Sequence, residues 1–380
     1  MYSVQLYTVL CKMFFVFTGG CYSDELYYSI SNCTVYRNNR RFISNFTEEE
    51  RDFPIAFSIL IYKNLCQFER FLAAIWRPQN VYCVHVDKSS RRELLAGAQA
   101  IASCFPNVFL TSRQVDVVWG KTVLDADLLC MDELLDERRR KNVFGVQWKY
   151  FVNTNAHEFP LKTNREMVRI LQTLDGANSV HMAPQEQQLF LRHLRPPFPV
   201  FLNKGETHIV GCRAFIEFLR TNQTMRNLTD WIRRHAFNPG ETLYATANFN
   251  YPQIAAPGAY TGRVPIRSST NLQYGYIHHY KQWMADFEPA HGTLDRVTGC
   301  GGKWYYLCLF GVADLPRLTD SRRVVALFVN KLYWDFQPHT YDCLEKWHSN
   351  RTLDEIRGVQ LDTNIAYYKS IDSVHNHVPC

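Results

Sequence analysis

The chain has 380 residues, 46% of them hydrophobic and 21% charged, the ordinary balance of a folded globular protein, which excludes bulk disorder. Its formal charge of +6 is mild for this length. The one dense basic run, Arg138 to Lys141, follows acidic residues at a predicted helix end, where cations suit the dipole, so nucleic acid is not an expected partner.

Met1 to Gly20 is mostly apolar with Lys12 as its only charge, which fits either a signal peptide or a signal anchor. Residues 21–50 are polar and read as a stem or arm, and the folded domain is expected over 51–380. Twelve cysteines and N-x-Thr sequons at Asn32, Asn45, Asn222, Asn227 and Asn350 point to the secretory pathway, where disulfides form. No C-x-x-C pair occurs, so neither a cysteine zinc site nor thioredoxin chemistry is expected.

Phe53 to Tyr62 and Asn80 to Asp87 read as strands, with a helix between them marked by Phe68, Phe71, Leu72 and Ile75. A third strand is expected over Asn107–Thr111 and a helix through Leu124, Leu128, Met131 and Leu135. A fourth strand follows at Tyr150–Asn153, then a helix capped by Thr163 or Asn164 that carries Val168, Leu171 and Leu174. Residues 183–204 read as a loop excursion, Ala214–Leu219 as part of a helix, and Pro252–Leu272 as irregular. This alternation predicts an α/β fold, a doubly wound sheet with helices on both faces. Ligands of such sheets sit outside the carboxyl ends of the strands, which makes Asp87 and Lys88 candidate contacts.

Several blocks, in order, carry a family resemblance. They are Phe53–Ile59, Arg77–Ser89, Ile101–Phe109, Ala126–Asp132, Trp148–Asn153, Glu158–Asn164, Cys308–Leu315 and Val329–Lys331. Together they resemble the core-2/I-branching β-1,6-N-acetylglucosaminyltransferase family, which also includes peptide O-xylosyltransferases; Trp119-Gly120 is similar to that second branch. The resemblance implies a GT-A type fold, an inverting reaction, a UDP-sugar donor, a glycoprotein O-glycan acceptor, and no divalent metal or other cofactor. His85-Val-Asp-Lys88 stands where a metal-binding Asp-x-Asp pair would supply hard oxygen ligands, in keeping with the last point.

Without a cation, Lys or Arg must neutralise the departing diphosphate. The resemblance assigns this to Lys331; a second basic residue is expected where Tyr305 stands, with Lys303 as the replacement. Leu60, Ile61, Tyr62, Asp87, Lys88 and Ser89 match donor-binding positions, whereas Glu158 and the neighbourhood of His181 match the acceptor side. Glu241, in Asn238-Pro-Gly-Glu241, matches the catalytic base, and Gly240 replaces the acid expected beside it. By spacing alone the same segment reads as a helix capping box, with Asn238 as cap, Pro239 at the first position and Glu241 at the third.

The family's cysteines imply the pairs Cys33–Cys104, Cys83–Cys130, Cys300–Cys308 and Cys21–Cys343, leaving Cys11, Cys66, Cys212 and Cys380 over. The expected function is transfer of N-acetylglucosamine from UDP-GlcNAc to an O-glycan hydroxyl in the Golgi or after secretion, with β-1,6 branching of a Gal-GalNAc core as the first expectation. The alternatives are a UDP-xylose-dependent enzyme of the same fold and a non-catalytic glycan-binding member.

Overall fold

The computed structural model describes residues 30, 32–139, 145–263, 275–283, 302–320, 322 and 324–380. The expected signal segment, Cys21 and Cys300 lie outside these residues, as does the side chain of Lys303. No helix among the described residues is long and apolar enough to cross a membrane.

The chain enters through helix α1 (Cys33–Asn39), whose N-cap Asn32 accepts from the backbone N–H groups of Thr34 and Val35. Tyr36 and Phe42, from the segment read as an arm, are buried in the main core. Strand β1 (Ile55–Ile61), helix α2 (Leu65–Ile75), strand β2 (Val81–Val86), helix α3 (Arg92–Ala102) and strand β3 (Val108–Leu110) follow as expected. Helix α4 (Val123–Leu135) leads to β4 (Tyr150–Asn155) and β5 (Glu158–Pro160). Helix α5 (Asn164–Thr173) starts on a full capping box between Thr163 and Glu166. Strand β6 (Val210–Cys212) precedes helices α6 (Arg213–Thr221), α7 (Gln223–His235) and α8 (Pro239–Asn248). The short strands β7 (His279–Tyr280), β8 (Gly302–Trp304), β9 (Leu307–Leu309) and β10 (Phe328–Asn330) precede helix α9 (Pro338–Ile356).

The main sheet runs β3-β2-β1-β4-β6, parallel except for β6, which pairs antiparallel with β4. The near-continuous burial of β1 and β2 is what strands covered on both faces require. Right-handed crossovers place α2 and α3 on one face and α4 on the other, because the chain reverses direction across the sheet between β3 and β4. That reversal makes the gap between β1 and β4 a topological switch point, where an open sheet forms its ligand crevice. A second sheet, β5-β10-β7, extends β4 past this point over its own small core of Phe159, Phe310, Val329, Leu332 and Tyr341. The doubly wound α/β expectation is met.

Cys33–Cys104 and Cys83–Cys130 form as expected. Cys66, Cys308 and Cys343 are also oxidised. Two readings are corrected: Cys66, left over in the sequence, is disulfide-bonded, and Cys212 and Cys380, also left over, are bonded to each other. This bridge fixes residue 380 against the end of β6, 168 residues away in sequence. Replacing both cysteines with serine should cost about 2–4 kcal/mol, read as a lower denaturant midpoint under oxidising conditions and no difference from wild type under full reduction.

Candidate active site

Beyond the carboxyl ends of β1 and β4, two polar segments are held by one side chain. Asn153 on β4 donates to the carbonyl of Thr207 at 2.8 Å and accepts from Ile209 N–H at 2.6 Å. It thereby pins the 204–209 approach to β6, which carries Lys204, Glu206 and His208. Asn153 also donates to Asp127 Oδ2 at 2.6 Å, and Tyr244 of α8 donates to the same oxygen at 3.4 Å. Ser58 of β1 donates to Asp127 Oδ1. Helix α8 is therefore tied through Asp127 to the two strands that flank the switch point.

Glu241 lies in the first turn of α8, with its Oε2 2.9 Å from Lys204 Nζ. The capping-box reading is corrected: Asn238 makes no side-chain cap, and the Glu241 carboxylate faces a lysine instead. Burial raises the Glu241 carboxyl above the usual range, Lys204 draws it back, and Glu206 adds to the rise. The sequence pointed to an ordinary helix-terminal carboxylate; the fold makes it a stronger base.

Glu206 pairs with Lys281 at 2.6 Å. Burial opposes its ionisation, but Lys281, His279 and His181 hold its carboxyl below the usual range. Glu158 is fully buried where β5 faces β10. Its Oε1 accepts from Asn330 Nδ2 at 2.9 Å, and its Oε2 accepts from Thr154. His279 Nδ1 and His208 Nε2 lie 3.3 and 3.6 Å from Oε1. Burial works against the Glu158 charge, yet the surrounding histidines His208, His279 and His278 keep its carboxyl low. His208 is pushed down to about 4 by burial and stays neutral at physiological pH.

Lys331 directly follows β10. Burial lowers its ammonium below the ordinary lysine range, with Glu158 opposing and Lys281 reinforcing that shift. Lys331 and Lys63 both depress the buried imidazole of His157, after burial itself. Lys63 Nζ also sits 4.8 Å from the Tyr333 ring and 5.6 Å from the Tyr62 ring. Two cations, Lys331 and Lys63, and two tyrosines, Tyr62 and Tyr333, thus gather around His157.

The structure brings Glu241, Glu158, His181 and Lys331 into one charged network, linked by Glu206 and Lys281. Asp87 directly follows β2, where its Oδ1 accepts from Ser89 N at 2.8 Å, Ser89 Oγ at 3.0 Å and Val117 N at 3.4 Å. It holds a turn and ties the 113–122 loop to the strand end. Lys88, Ser89 and Tyr62 are exposed at this edge, and Leu60 is half-buried. The Ile61 side chain is in the core, and its carbonyl accepts from Asp87 N–H. Tyr305 is at the exposed turn between β8 and β9, with a φ of 53°.

Sequence reasoning missed Lys63, Lys204, Glu206, His208, His279 and Lys281. Only the His278-His279 doublet carried a visible signal. Gly205 matters for the same network: a Cβ there would lie 2.1 Å from the carbonyl oxygen of His181. Gly205→Ala should displace Lys204 and Glu206, costing about 1–3 kcal/mol and most of the activity, as thermal melting and an initial-rate assay would show.

A family model described as "Core-2/I-Branching enzyme" matches residues 55–247, from β1 through helix α8. The chain belongs to this family. Among its relatives, the N-acetyllactosaminide beta-1,6-N-acetylglucosaminyl-transferase of Homo sapiens is 32% identical over 350 residues, covering 86% of this chain and 80% of the relative. The beta-1,3-galactosyl-O-glycosyl-glycoprotein beta-1,6-N-acetylglucosaminyltransferase 3 of Ovis aries is 31% identical over 363 residues, covering 87% and 76%. Its Homo sapiens counterpart is 30% identical over 357 residues, covering 86% and 75%. This core-2/I-branching family member is accordingly a glycosyltransferase with a GT-A-like fold.

Proposed function

We propose that the protein transfers N-acetylglucosamine from UDP-GlcNAc to the 6-hydroxyl of an acceptor sugar, with inversion and without Mg²⁺ or Mn²⁺. The observation that carries this reading is Glu241, a carboxylate strengthened as a base by burial, which shares the neighbours Glu206 and Lys281 with the buried Lys331. The acceptor oxygen attacks the anomeric carbon as Glu241 takes its proton. The bond from that carbon to the β-phosphate oxygen breaks, and UDP leaves with its new charge met by Lys331 and Lys63. An α-linked nucleotide sugar attacked from the opposite face gives a β-linked product, the linkage in the names of the relatives.

The first acceptor is the Gal-GalNAc core of glycoprotein O-glycans, in the Golgi lumen or after secretion. N-acetyllactosamine is the second, favoured by the acceptor in the name of the human relative at 32% identity. The test is transfer from UDP-GlcNAc in EDTA to each acceptor, with the linkage read by NMR. A β-1,6 product on either supports the reading and chooses the acceptor. No product and no UDP binding overturns it in favour of a binding-only protein; product from UDP-xylose alone overturns the donor.

A further inference from the structure

Glu158, His208 and His279 come from β5, the approach to β6, and β7, and each turns one ligand atom toward the others. The three atoms lie within 4.8 Å of one another. We propose that they form a site for one borderline divalent transition ion, Zn²⁺ by preference, which the transfer chemistry itself does not require. Ligands 2.0–2.1 Å from a tetrahedral centre are about 3.3–3.4 Å apart. The separations from Glu158 Oε1 are 3.3 Å to His279 Nδ1 and 3.6 Å to His208 Nε2, close to those edges without a metal to draw them in.

The surrounding hydrogen bonds set each donor atom for this role. His279 Nε2 lies 3.4 Å from the Tyr276 hydroxyl; with that hydroxyl accepting from Nε2–H, Nδ1 presents its lone pair toward the Glu158 side. That Nδ1 is buried and makes no well-formed hydrogen bond, with Glu158 Oε1 3.3 Å away. An unpaired buried ring nitrogen is costly in a folded chain and is the group a metal satisfies. On His208, Thr207 Oγ1 lies 3.3 Å from Nδ1 while Asn155 Nδ2 donates to Nε2 at 3.1 Å, so Nε2 carries a lone pair that an entering ion would take over from Asn155. Asn330 and Thr154 orient the carboxylate, as outer partners do around bound metals.

Two imidazoles and one carboxylate select Zn²⁺, Co²⁺ or Ni²⁺ over Mg²⁺ and Mn²⁺, which take oxygen ligands and suit a diphosphate. The site is therefore compatible with transfer that needs neither of those ions. Lys281 is already paired with Glu206, so Lys331 is the neighbouring cation whose charge an ion on Glu158 would have to share space with.

The test uses the full secreted chain without a polyhistidine tag, stripped with chelator and titrated with Co²⁺. Visible d–d bands of a four-coordinate ion, saturating at one equivalent and lost on adding Zn²⁺ but not Mg²⁺, are expected. His208→Asn and His279→Asn, each checked for a wild-type melting curve, should weaken Co²⁺ affinity at least about tenfold. Absence of these bands in the wild-type chain overturns the site whatever the variants do, and bands unchanged in both folded variants place the ion elsewhere. The readout does not depend on transfer activity, so it stands apart from the proposed reaction.

Discussion

Glu241→Gln is expected to lower kcat by about 10²–10⁴-fold while leaving UDP affinity within a few-fold of wild type. The amide keeps the size of the side chain but cannot take a proton from the acceptor hydroxyl. A structural role for Glu241 would show instead as weaker UDP binding and a lower melting temperature, since the side chain pairs with Lys204 at the start of α8. The pH profile gives a second, sharper readout. The base works only when ionised, so kcat rises with pH through the Glu241 pKa, and burial places that acid limb above the ordinary carboxylate range. Glu206 is the like charge that helps hold it there, while Lys204 and Lys281 pull it down. Glu206→Gln should therefore move the acid limb to lower pH, and Lys204→Met should move it to higher pH. A limb that moves in neither variant would mean that another group takes the proton.

Where chain periodicity and strand position decide the outcome, the sequence was sufficient. The apolar runs of β1 and β2, separated by a helix with one apolar face, placed the sheet and the crevice at its carboxyl edge. The helix start at Asn-Pro-Gly-Glu was legible because that segment is local, whereas Glu241 was singled out as a base only through the resemblance. What could not be read is how that carboxylate is solvated, because Lys204 and Glu206 arrive from a loop tied down by Asn153, roughly 50 residues earlier. The capping box failed for the same reason, a tertiary cation outcompeting a backbone N–H for the carboxylate. The histidine cluster was hidden more completely. Glu158, His208 and His279 are scattered across about 120 residues and meet only because β5 and β7 flank β10 while β6 lies beside β4. No spacing encodes that meeting. The Cys212–Cys380 bridge is a similar case, since long-range pairing of two leftover cysteines leaves no local pattern.

Lys331→Met should reduce kcat/KM by about 10²–10³-fold, the scale for losing one preorganised group that meets charge developing on a leaving group. Lys331 is suited to this task because it is partly buried, where a charge acts more strongly than in water. The same burial has a cost that the experiment can use. It lowers the ammonium below the ordinary lysine range, with Lys281 reinforcing the shift, while the carboxylates of Glu158 and Glu206 oppose it and Lys63 adds to it. Activity should thus fall as pH rises through this depressed pKa, well before an exposed lysine would lose its proton. Lys331→Arg separates charge from proton loss, because a guanidinium stays charged throughout this range. That variant should recover part of the lost rate and remove the alkaline limb. If Lys331→Met keeps the alkaline limb unchanged, the titrating cation is another residue and the assignment of Lys331 fails.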